Sequence, residues 1–98
     1  MSEDIVIEFA EDARLLETLT LRLEPDTASA LRTVACDCEL ILIASGEGWF
    51  ESEKIRRQLY QGDRLVVDRG QSYVLRSAEG GSWLAVIYLF DGTKSPVA

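Results

Sequence analysis

The densest group of chemically reactive side chains in the sequence is the segment Cys36-Asp37-Cys38-Glu39, in a chain that contains no histidine. Thiolates are strong ligands of zinc and copper(I), and carboxylates also bind metal ions. In an extended strand, however, Cys36 and Cys38 share one face, whereas Glu39 belongs to the opposite face. The segment therefore predicts a metal site only if a bulge interrupts this alternation.

The same two cysteines bear on redox chemistry. Two α-carbons at this spacing in a strand lie roughly 6.6 Å apart, which is near the limit for a disulfide. A buried free cysteine behaves as a small apolar residue. We therefore expect Cys36 and Cys38 to be reduced thiols packed against apolar neighbours.

Several kinds of catalysis find little support in the sequence. Without histidine, the cysteines lack the usual base that activates a nucleophile, and the chain has neither a G-x-S-x-G turn nor a glycine-rich phosphate loop. Asp37 and Glu39 would share a strand face, which leaves paired-carboxylate glycoside chemistry open. A spacing of two residues does not establish that chemistry.

Length and charge restrict the protein class and its partners. A chain of 98 residues predicts one domain with a single core, and its net charge of -7 repels phosphate backbones and anionic lipids. We expect no direct nucleic-acid or membrane binding. Because the start MSEDIVIEF is acidic and no apolar run approaches the length of a membrane span, we expect a soluble, cytoplasmic protein.

Alternation of apolar and polar residues predicts strands through most of the chain. Ile5, Ile7 and Phe9 alternate with other residues, and so do the leucines at 19, 21 and 23. Between them, residues 11–19 fit one or two helical turns, a loop or the start of a strand. The run 40–43 is apolar on both faces, which predicts a strand at the centre of the fold.

Turn residues divide these strands at short intervals. Pro25-Asp26 starts one turn, glycines at 46, 48, 62 and 70 mark others, and residues 79–82 fit a hairpin turn between two strands. Residues 51–57 predict a mixed-charge hairpin facing solvent. Eight or nine short strands in so short a chain predict an all-β fold, a small antiparallel β-barrel or jelly roll.

The run GDRLVVDRGQSYVLRS, residues 62–77, resembles the second sequence motif of the cupins over its full spacing. Gly62 and Gly70 occupy glycine positions of that motif. Asp68, Tyr73 and Ser77 stand where the motif has proline, histidine and asparagine.

The first cupin motif is matched more weakly, between residues 26 and 46. Its glycine, two histidine, glutamate and second glycine positions fall in order on Asp26, Arg32, Val34, Glu39 and Gly46. Only Glu39 and Gly46 keep the motif residue, and an alternative register moves the histidine positions to Thr33 and Ala35. The resemblance implies one cupin-like domain over residues 1–98.

The resemblance also implies that the cupin metal site is lost. The positions of the usual three histidines and one glutamate fall on Arg32, Val34, Tyr73 and Glu39. Arginine is a permanent cation and valine has no lone pair, so these residues are unsuited to hold iron, manganese or zinc. We therefore expect no metal and no cofactor.

What replaces the metal site is open between three hypotheses. If Arg32 and Glu39 project into the barrel, they form a structural ion pair, because an unpaired buried charge is costly. Alternatively, Arg32 binds a small carboxylate or phosphate, or it faces solvent. The candidate ligand-binding residues are Arg32, Thr33, Glu39, Tyr73, Ser77 and Trp49.

These residues favour a non-catalytic, metal-free cupin that binds a small molecule, such as a sugar or organic anion, or a partner protein. The segments 38–48 and 62–70 also resemble the sensing domain of arabinose-type transcription regulators. One alternative is a metal-independent isomerase- or epimerase-like enzyme that uses Glu39 or Tyr73 as acid or base. Another is a dimeric scaffold module, and we expect a homodimer under all three hypotheses.

Overall fold

The computed structural model describes residues 9–93, which form eight strands and no helix. The all-β prediction is therefore confirmed, whereas the predicted strand residues Ile5 and Ile7 lie outside the described residues. No helix within the described part of the chain is long and apolar enough to cross a membrane. The strands are β1 (Phe9–Leu23), β2 (Arg32–Thr33), β3 (Cys38–Ser45), β4 (Glu47–Glu51), β5 (Arg56–Tyr60), β6 (Arg64–Asp68), β7 (Ser72–Ser77) and β8 (Trp83–Thr93).

The strands form two four-stranded antiparallel sheets. Sheet one has the order β1-β8-β3-β6, and sheet two has the order β2-β7-β4-β5. Strand β3 lies between β8 and β6, which agrees with the central position predicted for residues 40–43. This register places Glu39 opposite Val67 on one side and Leu89 on the other.

Strand β1 is longer than the sequence pattern indicates. Residues 11–19 belong to the strand, so of the three interpretations the helical turns and the loop are wrong. The partner strand β8 is long enough to pair with β1 along its length, and this pairing outweighs weak local preferences. A register shift between Leu15 and Glu17 interrupts the alternation, which is why the pattern was ambiguous there.

The turn near residues 79–80 does not close a hairpin. It joins β7 in sheet two to β8 in sheet one, and these strands do not pair, so the hairpin prediction is wrong. Paired glycines indicate a reversal of the chain but not whether it stays in one sheet. Here the chain crosses to the other sheet and places Trp83 in the core, 1% exposed.

The core lies between the inward faces of the two sheets. Strand alternation directs every second residue inward, so each sheet contributes one apolar face. Sheet one contributes Leu23, Ile41, Ile43, Val67, Trp83, Ala85 and Ile87, and sheet two contributes Phe50, Leu59, Tyr73 and Leu75.

Close packing around Gly48 gives a testable prediction about this core. A Cβ atom at Gly48 would lie 2.4 Å from the Arg76 carbonyl oxygen and 2.9 Å from Cε3 of Trp83. Because the backbone of β7 cannot yield easily, we expect Gly48→Ala to lower the free energy of unfolding by about 1–3 kcal/mol. Chemical denaturation measures this loss.

Gly80→Ala is the matched control, because a Cβ atom at Gly80 meets nothing within 4 Å. Equal stability of the two variants would contradict the packing described for Gly48.

Candidate functional site

An open pocket of about 350 Å³ is lined by residues from both sheets. Arg32 and Thr33 of β2 belong to sheet two, and Glu39 of β3 belongs to sheet one. The remaining lining residues come from β1, β8, the loop before β3 and the turn after β6: Leu16, Ala35, Cys36, Arg69, Leu89 and Asp91. The pocket lies where the two cupin-like motifs meet.

A buried carboxylate network forms the inner part of this pocket. Glu39 points inward from β3 and is only 1% exposed. Its Oε1 accepts hydrogen bonds from the Tyr73 hydroxyl at 2.6 Å and from Nε of Arg32 at 3.3 Å. Its Oε2 accepts from Nη2 of Arg32 at 3.0 Å, and Nε of Arg32 also lies 3.2 Å from the Tyr73 hydroxyl.

The network compensates the negative charge of the buried Glu39 carboxylate. An unpaired carboxylate in a protein interior costs several kcal/mol, and a two-nitrogen contact with arginine is a favourable way to compensate it. The predicted Arg32-Glu39 pair is thus confirmed. Arg32 does not simply face solvent, but its side chain keeps 28% exposure and also lines the pocket.

Burial and the hydrogen bonds of the network shift the pKa values of Tyr73 and Arg32. Burial, followed by the hydrogen bond to the Glu39 carboxylate, raises the pKa of Tyr73 well above its ordinary value. The hydrogen bond to Glu39 raises the pKa of Arg32, although burial acts in the opposite direction. Tyr73 is therefore a neutral hydrogen-bond donor at physiological pH, and its ring stacks on Phe50 at a centroid distance of 5.3 Å.

A second charged cluster forms the rim. Nη2 of Arg69 lies 2.6 Å from Oδ1 of Asp37, and Oδ2 of Asp37 accepts from the Gly92 amide at 2.6 Å. The Asp37 amide donates to Oδ1 of Asp91 at 3.1 Å, and Asp91 lies 4.0 Å from Nη2 of Arg69. These bonds connect the loop before β3, the turn after β6 and the end of β8.

The two cysteines do not share a face. Residues 36 and 37 form a bend ahead of β3, and Cys36 belongs to the core and lines the pocket. Cys38 precedes the inward-facing Glu39 in β3, so it lies on the opposite face of that strand. The prediction that Cys36 and Cys38 share one strand face is wrong, because the chain bends at residues 36 and 37 instead of being extended. Cys36 and Cys38 do not form a disulfide, and the Cys36 thiol donates to the Cys38 carbonyl oxygen at 3.2 Å. Burial, followed by the nearby Glu39 charge, raises the pKa of Cys36, which disfavours the thiolate.

Four of the six predicted site residues come together, and two do not. Thr33 lines the pocket and its hydroxyl lies 2.7 Å from Oγ of Ser72, while Tyr73 belongs to the inner network. Ser77 instead holds the turn near Pro25: its Oγ accepts from the Thr27 amide at 3.0 Å and donates to the Glu24 carbonyl oxygen.

Trp49 is also remote from the pocket. Strand β4 directs Gly48 and Phe50 inward, so Trp49 lies on the outer face of sheet two. The Arg56 guanidinium covers its ring at 3.9 Å from the centroid, and the same arginine bonds Glu51 at 2.8 Å. The prediction of a solvent-facing, mixed-charge hairpin at 51–57 is confirmed, and the prediction that Trp49 contributes to the pocket is wrong.

The site contains residues that sequence reasoning did not select. Arg69 and Asp91 line the pocket, and Leu16 and Leu89 form an apolar part of its wall. Arg69 had a weak signal, because it precedes a glycine in the second cupin-like motif. Asp91 and Leu16 had none, since only the pairing of β1 with β8 brings them to the site.

The residues present do not fit a divalent metal ion. Both oxygens of Glu39 already accept hydrogen bonds from Arg32 or Tyr73, and Val34 is a core residue. Within residues 9–93, no group of three or more His, Cys, Asp or Glu side chains is placed to hold a metal. A first-row ion requires several such donors at about 2.0–2.3 Å.

Comparison with known proteins identifies structural neighbours rather than sequence relatives. No protein-family model matches the chain, and no curated protein matches it in sequence. A cupin protein from Bacteroides fragilis has a TM-score of 0.70 at 16% identity, over 83% of this chain and 70% of that one.

Two further structural neighbours have a named partner or activity. CENP-C of Drosophila melanogaster, solved bound to CAL1, has a TM-score of 0.66 at 21% identity, over 71% of this chain and 61% of that one. A sugar phosphate isomerase from a cupin superfamily, from Silicibacter pomeroyi, has a TM-score of 0.65 at 17% identity, over 81% of this chain. The present chain spans less than two thirds of the CENP-C chain and 50% of the isomerase chain. Its two antiparallel sheets and these neighbours together show that the chain has the cupin fold.

Proposed function

We propose that this protein is a non-catalytic, metal-free cupin-like binding protein that holds a small polar molecule in the pocket between Arg32 and Asp91. The observation that carries the proposal is the double role of Arg32. Its guanidinium compensates the buried Glu39 carboxylate, yet its side chain remains 28% exposed on the pocket wall. A purely structural ion pair would not need a pocket beside it.

The size and composition of the pocket support this function. A volume of about 350 Å³ lies at the lower end of the range for small-molecule sites. Its wall combines apolar side chains with a few charged groups that are held in place by hydrogen bonds, as such sites usually do. Cys36 and Cys38 are reduced rather than disulfide-bonded, which suits a reducing compartment, so we also propose a cytoplasmic location.

The proposed metal-free state follows from the donor set of the former metal positions. Arginine replaces one ligand, a core valine replaces another, and the remaining carboxylate is already bonded to protein donors. Metal analysis of the protein purified without a histidine tag is expected to find substoichiometric iron, manganese, nickel and zinc.

The enzyme alternative has weaker support. An acid or base works best with a pKa near the operating pH, whereas the pKa of the buried Tyr73 hydroxyl is raised away from neutrality. Glu39 uses both oxygens to accept protein hydrogen bonds. The sugar phosphate isomerase among the structural neighbours is the observation that favours the enzyme alternative. Turnover of a bound sugar phosphate by this protein would establish it.

Ligand-dependent stabilisation tests the binding proposal. We expect at least one of three probes, D-glucose, succinate or L-leucine, to raise the melting temperature saturably, because a ligand that binds only the folded state stabilises it by mass action. Ala35→Trp should abolish the effect, since Ala35 is exposed on the pocket wall and a large ring there fills the pocket.

Ala30→Trp is the matched control, because Ala30 is exposed in the loop before β2 and does not line the pocket. Equal stabilisation of the two tryptophan variants would place the binding elsewhere. If none of the three probes stabilised the wild-type protein, the proposed function would be wrong.

A second proposed role is self-association through the outer face of sheet one. On this face Leu40 and Leu42 of β3 lie beside Val86 and Tyr88 of β8, and all four side chains are half-buried. Tyr88 and Phe90 stack on the same face, with ring centroids 6.5 Å apart. A broad apolar sheet face suits a symmetric homodimer in which each copy presents the same patch.

Disrupting this face should change the mass in solution. We expect the wild-type protein to have the mass of a dimer by sedimentation equilibrium, and Leu42→Lys to shift it toward monomer because a buried, unpaired ammonium is costly. Val74→Lys is the control, since Val74 is half-buried on the outer face of sheet two. A monomeric wild-type protein, or equal effects of both variants, would contradict the dimer.

A further inference from the structure

We infer that the pocket is built for a zwitterion, namely an α-amino acid with an aliphatic side chain. This inference rests on the binding function proposed above and specifies the chemical class of the ligand. Three properties of the pocket carry it: the balance of its charges, the separation of its spare donors from its spare acceptors, and the chemistry of its uncharged wall.

The charged groups in and beside the pocket leave no excess of positive charge. Arg32 pairs with Glu39, Arg69 pairs with Asp37 of the rim, and Asp91 adds a further carboxylate to the wall. The whole chain carries a net charge of -7, so its surrounding potential is negative. An anionic ligand would meet no excess of positive charge in the pocket and would be repelled on approach. These charges favour a ligand with no net charge over the organic anion considered from the sequence.

The wall formed by sheet two offers donors for a carboxylate. Glu39 and Tyr73 engage Nε and Nη2 of Arg32. Nη1 has no hydrogen-bond partner among the described residues, and a guanidinium has five N–H donors in all. The neighbouring Thr33 adds a hydroxyl to the same wall. A carboxylate placed here would receive charge-assisted hydrogen bonds without displacing Glu39.

The wall formed by sheet one offers an acceptor for an ammonium group. Among the described residues Asp91 receives one hydrogen bond, from the Asp37 amide to its Oδ1, and its Oδ2 receives none. Arg69 compensates Asp37 at 2.6 Å rather than Asp91 at 4.0 Å. Asp91 therefore keeps acceptor capacity and part of its charge facing the pocket. The spare donor of Arg32 and the spare acceptor of Asp91 lie on different sheets, as a ligand with separated charges requires.

The apolar part of the wall is aliphatic except for the Cys36 thiol. Leu16, Ala35 and Leu89 line the pocket, and no aromatic ring of the described residues does. Sugars are commonly held against aromatic faces, and Trp49, the aromatic ligand-binding candidate on β4, lies on the outer face of sheet two. Aliphatic side chains instead match an aliphatic substituent, which gains affinity from the apolar area it buries.

Isothermal titration with four probes on the wild-type protein tests the inference. L-leucine has both charges, isocaproate lacks the ammonium group, isoamylamine lacks the carboxylate, and D-glucose lacks both. We expect L-leucine to bind at least about tenfold more tightly than any of the other three, because each missing ion removes a charge-assisted hydrogen bond.

Asp91→Asn assigns the ammonium site. The amide oxygen can still accept from the Asp37 amide, so the rim is retained. We expect this variant to weaken L-leucine about tenfold to a hundredfold and to leave isocaproate no weaker. Asp68→Asn removes the same charge from half-buried Asp68 of β6, which does not line the pocket, and should leave L-leucine binding unchanged. Circular dichroism checks that both variants are folded.

The outcomes separate this inference from the proposed function. Tighter binding of isocaproate, isoamylamine or D-glucose, blocked by Ala35→Trp, would overturn the zwitterion and keep the pocket. Equal L-leucine affinity in Asp91→Asn and wild type would also overturn it. No binding by any of the four probes would overturn the zwitterion, and it would overturn the proposed function as well if succinate also failed to stabilise the protein.

Discussion

Burial of the Glu39 carboxylate is the interaction on which the site depends. Strand alternation in β3 places this side chain on the same inward face as Ile41 and Ile43, where an uncompensated charge would destabilise the fold by several kcal/mol. Compensation requires a cation and a donor from the opposite sheet. Arg32 of β2 and Tyr73 of β7 meet this requirement, and they are register partners, so one short pairing delivers both.

This compensation also explains why the pocket lies where it does. The two-residue strand β2 has only a short pairing with β7, so the chain on either side of it is irregular, and the pocket lies beside it. Arg32 spans the boundary, with part of its guanidinium bonded inside and part exposed. The rim bonds of Asp37 with Arg69 and the Gly92 amide hold the surrounding loop in place. The pocket is therefore open but has a fixed polar wall.

Sequence reasoning could reach the fold because strand patterns and turns are local. Alternating leucines, the apolar run 40–43 and the positions of Gly62 and Gly70 were sufficient for the all-β architecture. It could place Arg32, Glu39 and Tyr73 together through the spacing of the two motifs. It could not find the rim, because Asp37 and Gly92 are 55 residues apart and meet only through sheet pairing. It misplaced Ser77, which shares the inward face of β7 with Tyr73 but lies four residues further along the strand, beside Thr27. It misplaced Trp49, which lies outside both motifs and on the outer face of β4.

The retention of charge inside this barrel requires an explanation other than stability. Replacing a buried ion pair by apolar residues of similar volume is often neutral or stabilising, so Arg32 and Glu39 are not needed to hold the sheets together. The core already has a continuous apolar layer from Leu23 to Ile87. What apolar residues could not provide is a fixed guanidinium on an open pocket wall, opposite a second carboxylate at Asp91. This arrangement of charges is what the proposed ligand site requires, and the cupin fold positions the residues that form it.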